Sequence, residues 1–240
     1  MQHVLSTMRK AIEKYKLIED GDKIAVGVSG GKDSLVLLAA LANFKKFGLF
    51  NYELTAITID NYSGNVDYSK LKEFCNNLGV ELIVEQTDIY DIVFNVRKES
   101  NPCSLCAKMR RGALNSVCNR IGFNKLALAH HKQDVVTTFF MSLLYEGRLS
   151  TMLPTSYMSN SQITLIRPLY LTPEKDIVHA SKNMPILKSC CPANNDSKRK
   201  EIKEFIEELE TKFPDCRKRI ERALLTPDTY NLLNLVYQHK

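Results

Sequence analysis

Three short stretches of this chain carry side chains able to do chemistry. The first is Ser29-Gly30-Gly31-Lys32-Asp33-Ser34, set between a β-branched apolar run (Ile24, Val26, Val28) and a second apolar run over residues 35–41. Strand, glycine turn and helix in that order make a phosphate cradle. Adjacent glycines permit positive φ and close backbone approach, and the freed N–H groups line an anion nest at the positive end of a helix. The spacing excludes a Walker A loop, with its four residues between Gly and Gly-Lys-Ser/Thr, and the Gly-x-Gly-x-x-Gly dinucleotide loop. The second stretch is the Cys-x-x-Cys of Cys103 and Cys106, followed by Lys108, Arg110 and Arg111. The third is His130-His131-Lys132-Gln133-Asp134.

Two thiolates at Cys-x-x-Cys spacing reach a single metal centre from one turn. Further soft ligands must come from elsewhere in the chain, and Cys190 and Cys191, before Pro192, are the candidates. Two metal chemistries satisfy this set. All four thiolates make a structural zinc site. Three of them hold three irons of a [4Fe–4S] cluster and leave the fourth iron open. A redox dithiol and inert core cysteines are the further alternatives. The cations at Lys108, Arg110 and Arg111 lower thiolate pKa values. Cys75, Cys118 and Cys216 fall in helical patterns and read as small packing residues.

The elements that must position these groups alternate strand and helix. Apolar spacing predicts a helix over 4–15, then a strand ending at Val28, then the helix over 35–41. Strands follow at 53–60 and 80–84, separated by an amphipathic helix over 68–78 that closes on Gly79, a typical C′ residue. A turn at Pro102 leads into a helix that runs past Cys118. Residues 125–129 and 163–166 make two more strands, with an apolar helix over 135–145 between them. A helix over 174–181, a short extended piece at 185–187 and helices from 198 onward complete the chain. The βαβαβ order predicts a parallel five-stranded sheet flanked by helices, with helical additions at both ends. Ligands of such sheets bind outside the carboxyl ends of the strands, where the nest and Asp60 fall. The expected segments are 1–20, an N-terminal helix, 21–197, the domain that carries the site, and 198–240, a helical extension.

At 240 residues, with 44% hydrophobic and 25% charged, the composition is that of an ordinary soluble protein with ample core. No apolar run is long enough to span a bilayer, so no membrane partner is expected. The start, MQHVLSTMRKAIEKYK, lacks the apolar block of a signal peptide, and a cytoplasmic location is expected. Seven cysteines, an odd number, in a reducing compartment favour metal or catalytic use over a disulfide framework. The net charge of +6 favours a polyanionic partner.

SGGKDS resembles the PP-loop of the ATP pyrophosphatases, which split ATP between its α and β phosphates. With PCSLCAKMRRG, AHHKQDVVTTFF, IRPL and CCP in that order, the chain resembles the TtcA-type tRNA 2-thiocytidine synthetases from its first helix to about Lys200. The resemblance implies an adenine-nucleotide α-hydrolase-like fold, with ATP, Mg²⁺ and a three-cysteine [4Fe–4S] cluster as cofactors and tRNA as partner. It implies that Ser29, Gly30, Gly31, Lys32, Asp33 and Ser34 hold the nucleotide, with adenine and ribose near Asp60. Cys103, Cys106 and Cys191 would hold the cluster, with Cys190 as fallback for the third. His130 and Asp134 match the Gly-His-His-x-Asp-Asp segment of the family, from which Ala129 and Gln133 depart, leaving Asp134 to serve alone or with Asp33 as the Mg²⁺ ligand.

The implied reaction adenylates the C2 oxygen of a tRNA pyrimidine, cytidine by this likeness, releases pyrophosphate, and replaces the oxygen with sulfur. Lys32 and the loop amides would stabilise phosphate charge, and Arg110 with Arg111 would contact RNA phosphate or the activated intermediate, unless they pair with helix acids. His130 and His131 orient a phosphate or a metal-bound water, or cap the strand end. A cysteine desulfurase or inorganic sulfide would donate the sulfur, and a homodimer is implied by likeness alone. Three alternatives stand beside this: a 2-thiouridine synthetase, an amide-forming ligase of the lysidine synthetase kind, and a non-catalytic iron–sulfur or nucleotide sensor.

Overall fold

The computed structural model describes residues 1–61, 64, 66–98, 102–187 and 198–226. In chain order the elements are α1 (Gln2–Tyr15), β1 (Asp22–Gly27), α2 (Lys32–Lys45), β2 (Tyr52–Asp60), α3 (Ser69–Leu78), β3 (Glu81–Gln86) and a π-helical segment (Asp91–Val96). They continue as α4 (Pro102–Ile121), β4 (Lys125–Ala127), α5 (Lys132–Glu146), β5 (Thr155–Met158), β6 (Ile163–Ile166), α6 (Glu174–Ala180), α7 (Lys198–Lys212) and α8 (Cys216–Leu225).

The chain divides into two compact units, Met1–His131 with Leu153–Asp196, and Lys132–Met152 with Ser197–Lys240. The strands of the first unit form one sheet in the order β3-β2-β1-β4-β6-β5. β3, β2, β1, β4 and β6 run parallel, as the alternating elements require. β5 adds an antiparallel edge by pairing Thr155–Met158 with Ile166–Ile163, which the sequence reading lacks. The strand residues alternate between two apolar layers. Ile24, Val26, Ala56, Ala127 and Ile166 face α1, α2, α3 and α6, whereas Ala25, Ile57, Ile59, Leu126 and Leu165 face α4 and the π-helical segment. α2 is apolar almost all round, with Leu35 to Ala42 buried, as expected of a helix enclosed by the core.

The neighbours of β1 lie on opposite sides: β2 follows it through α2, and β4 joins its other edge. The β1/β4 boundary is therefore a switch point, where successive connections leave on opposite faces and open a crevice at the carboxyl edge. The nest follows β1 and the histidine pair follows β4. α3 ends as read from sequence, with Gly79 at φ 69°.

The second unit has its own small core, in which Val136 and Phe140 of α5 pack on Ile202 and Ile206 of α7. The units differ from the segments expected from sequence. α1 lies within the core of the first unit through Val4, Met8, Ala11 and Ile12, and α5 groups with the C-terminal helices. Among the described residues no helix is long and apolar enough to cross a membrane.

Candidate phosphate nest and cysteine pair

β1 ends at Gly27, and Val28 remains tied to the sheet by donating its N–H to Ile57 O at 2.8 Å. The chain then turns through Gly30 at φ +80° and enters α2 at Gly31. Two hydroxyls brace the turn. Ser34 Oγ donates to Gly31 O at 2.9 Å and accepts from Ser29 N at 3.2 Å and Ser29 Oγ at 3.3 Å, and Ser29 Oγ accepts from Gly31 N at 3.4 Å. The first-turn amides of Lys32, Asp33 and Ser34 have no intrahelical acceptor by construction, so they point out of the helix as a set of donors. This is the anion cradle that the spacing implies.

Gly30 is fixed from outside the loop. Its carbonyl accepts from Leu187 N at 3.0 Å, and a Cβ on Gly30 would lie 2.8–3.0 Å from three side-chain atoms of Leu187. Gly30→Ala must therefore meet both a left-handed backbone, at about 1–2 kcal/mol, and a collision. The expected result is a thermal midpoint lower by about 2–4 °C for each kcal/mol lost, together with weaker ATP binding. Unchanged melting and unchanged affinity, measured by calorimetry, would contradict this role for Gly30.

The Lys32 ammonium donates to Asp33 Oδ1 at 2.9 Å and to Glu174 Oε1 at 3.0 Å. Burial works to lower its pKa, but the two hydrogen bonds and carboxylate charges outweigh burial and raise it. Lys32 is firmly a cation, held by a residue of α6 that sequence spacing does not single out. His131 Nε2 lies 3.9 Å from Asp33 Oδ1, so the loops after β1 and β4 meet at the nest.

His130 meets a different partner. Its Nδ1 accepts from Arg167 Nε at 3.2 Å, at the end of β6. Arg167 also donates from Nη1 to Leu153 O at 2.5 Å. Burial, then the nearby charge of Arg111, pushes the Arg167 pKa down to about 10. Neither Arg167 nor Glu174 had a role at the sequence level. Arg167 stands in IRPL, whose strand-end position was its signal.

The remaining candidates fall as follows. Asp60 is buried at the carboxyl end of β2, and its Oδ2 accepts from Gly64 N at 2.7 Å. Asp134 belongs to the second unit, where its carboxylate accepts from Arg199 Nη1 of α7 at 2.8 Å. Cys103 and Cys106 lie three residues apart in the first turn of α4, which starts at Pro102, a residue suited to the first helical position. Cys103 is exposed and Cys106 is half-buried. Among the described residues Lys108, Arg110 and Arg111 form no ion pair. Two adjacent, accessible thiols under a local excess of cations suit a polyanionic cluster or a soft metal ion. Cys190 and Cys191 lie outside the described residues.

Comparison with known proteins agrees with this geometry. Residues 2–207 match the family described as the PP-loop domain. The tRNA-cytidine(32) 2-sulfurtransferase of Geotalea uraniireducens (strain Rf4) is 38% identical over 230 residues, covering 94% of this chain and 91% of that protein. The protein of the same name from Bordetella pertussis (strain Tohama I) is 37% identical over 219 residues, covering 90% of this chain and 68% of its own length. Among solved structures, the U34-tRNA thiolase NcsA from Methanococcus maripaludis with its [4Fe-4S] cluster superposes with a TM-score of 0.72 at 25% identity, covering 95% of this chain and 79% of that one. With the nest, the cysteine pair and this likeness along most of its length, the chain belongs to the PP-loop enzyme family, on its TtcA-type branch.

Proposed function

We propose that this enzyme thiolates tRNA at the C2 position of a pyrimidine, cytidine in the first instance, by ATP-dependent adenylation of the C2 oxygen. The observation that carries the reading is the nest itself: outward amides, Gly30 pinned by Leu187, and Lys32 held as a cation at the switch point of the sheet. Support for tRNA as substrate comes from the named relatives. Identity of 38% to the cytidine enzymes against 25% to the uridine enzyme supports cytidine.

Each group then has a chemical task. A ring C2 oxygen is a poor leaving group, and converting it to an adenylate supplies one in AMP. The amides of Lys32, Asp33 and Ser34 hold the phosphates, and Ser29 and Ser34 keep the turn in shape. Lys32 exchanges a carboxylate for a phosphate oxygen and stabilises the charge that develops as pyrophosphate leaves. Asp33, relieved of Lys32, is a hard oxygen ligand for Mg²⁺, which would offset phosphate charge. Asp134 is a metal ligand only where Arg199 releases it. Cys103, Cys106 and Cys191 would hold a [4Fe–4S] cluster, which supplies an iron position open to sulfur. Arg110, which has no ion pair among the described residues, would present its cation to RNA or to the adenylate. The target base must leave its stack to reach this edge of the sheet. A desulfurase or inorganic sulfide as donor, a homodimer and a cytoplasmic setting complete the proposal.

The test is pyrophosphate release from ATP by anaerobically purified protein, with and without tRNA, alongside iron and acid-labile sulfide assays. The reading expects tRNA-stimulated release of AMP and pyrophosphate, and near-stoichiometric iron and sulfide. Zinc in place of iron, or ATP turnover to ADP, would contradict it.

A further inference from the structure

Arg167 is 7% exposed, and charged side chains so buried are almost always met by an opposite charge. Among the described residues no such charge meets it. Its Nε donates to the neutral Nδ1 of His130 and its Nη1 to Leu153 O. A guanidinium has five N–H donors, so three remain, and no described residue accepts them. Among the described residues its electrostatic neighbours are Arg111, a like charge from α4, and the Tyr170 phenol, whose own pKa burial pushes up to about 12. Arg111 is exposed and without an ion pair among the described residues. An arginine cannot accept a hydrogen bond, so in this contact Nδ1 of His130 is the acceptor. Arg167 and His130 stand at the carboxyl ends of β6 and β4, the edge of the sheet where ligands of this architecture bind.

We propose that Arg167, with Arg111, forms a second anion site, distinct from the nest, that takes one phosphate group. A buried cation with no acid among the described residues is stabilised when a ligand brings the missing charge, and the fork of an arginine matches phosphate oxygens two at a time. Two sources supply such a group, a phosphodiester of the RNA and a phosphate of the nucleotide. The inference rests on the proposed function only for these two polyanions.

The experiment measures binding by the full-length protein of an unmodified tRNA transcript and, separately, of ATP, at several salt concentrations. Arg167→Met, Arg167→Lys and Arg111→Ala are compared with wild type, with thermal melting as the check on folding. Loss of a charged hydrogen bond predicts affinity lower by about 10- to 100-fold for Arg167→Met, with partial recovery in Arg167→Lys. If RNA affinity falls and the slope of log K against log salt shrinks by about one, the group is a phosphodiester. If ATP affinity falls and RNA binding does not, it is a nucleotide phosphate. Either result upholds the site. Should Arg167→Met fail to fold, Arg111→Ala decides, because its exposed position cannot disturb the core. Unchanged affinity for both ligands in the folded variants overturns the site and leaves the proposed function standing. A wild-type protein that binds neither ligand defeats both.

Discussion

Lys32→Ala is expected to lower ATP-dependent thiolation by about 10²–10³-fold, the range for removing one donor aimed at developing charge, while iron content stays at the wild-type level. The variant loses more than a contact to phosphate. Asp33 and Glu174 now share the Lys32 ammonium, and without it both carboxylates face the incoming triphosphate and repel it. Stability should change little, since Lys32 is partly exposed and its ion pairs are solvent-screened. Pyrophosphate release checks the first step alone, and iron assay of the same sample checks the cluster. A variant that releases pyrophosphate at the wild-type rate would show that the nucleotide lies elsewhere.

Cys103→Ala is expected to abolish both the cluster and thiolation, and to leave the fold intact. Cys103 is exposed and takes no part in either core of the first unit, so its removal should cost within about 0.5 kcal/mol of stability. Cys106 packs in part against the second apolar layer, so Cys106→Ala mixes the two effects and is the less informative variant. Iron and sulfide content after anaerobic purification, with a thermal melt, separate ligand loss from unfolding. Wild-type thiolation by Cys103→Ala would remove the cluster from the mechanism.

Wherever cause and effect were near neighbours in sequence, the fold was legible. β1, the nest and α2 stand out because apolar runs flank a glycine pair, and the parallel order follows from strand–helix alternation. β5 was missed for a physical reason. Thr155–Met158 is short, only partly buried and without a marked apolar alternation, and its return to β6 turns at Gln162 with φ 54° in place of a glycine signal. The π-helical segment gives no periodic pattern that sequence spacing can distinguish. β4 stops at Ala127, short of the predicted residue 129, because its ladder with β1 and β6 ends there.

The candidate site was legible as a strand–turn–helix nest at Ser29–Ser34 and as a cysteine pair on one helix at Cys103 and Cys106. It was not legible where charge meets across the fold. Glu174 reaches Lys32 over a separation of 142 residues, and Arg167 reaches His130 over 37. Nor does a helical pattern disclose that Arg199 occupies Asp134, since each residue alone reads as surface charge. These long-range pairs join residues that no local pattern links.

Mass spectrometry of tRNA nucleosides from cells with and without this gene tests the central claim most directly. Deletion should remove 2-thiocytidine, the wild-type gene should restore it, and genes carrying Lys32→Ala or Cys103→Ala should not. An unchanged content of 2-thiocytidine in the deletion strain, or its restoration by either variant, would contradict the assignment of a nucleotide nest and cysteine pair working together on RNA.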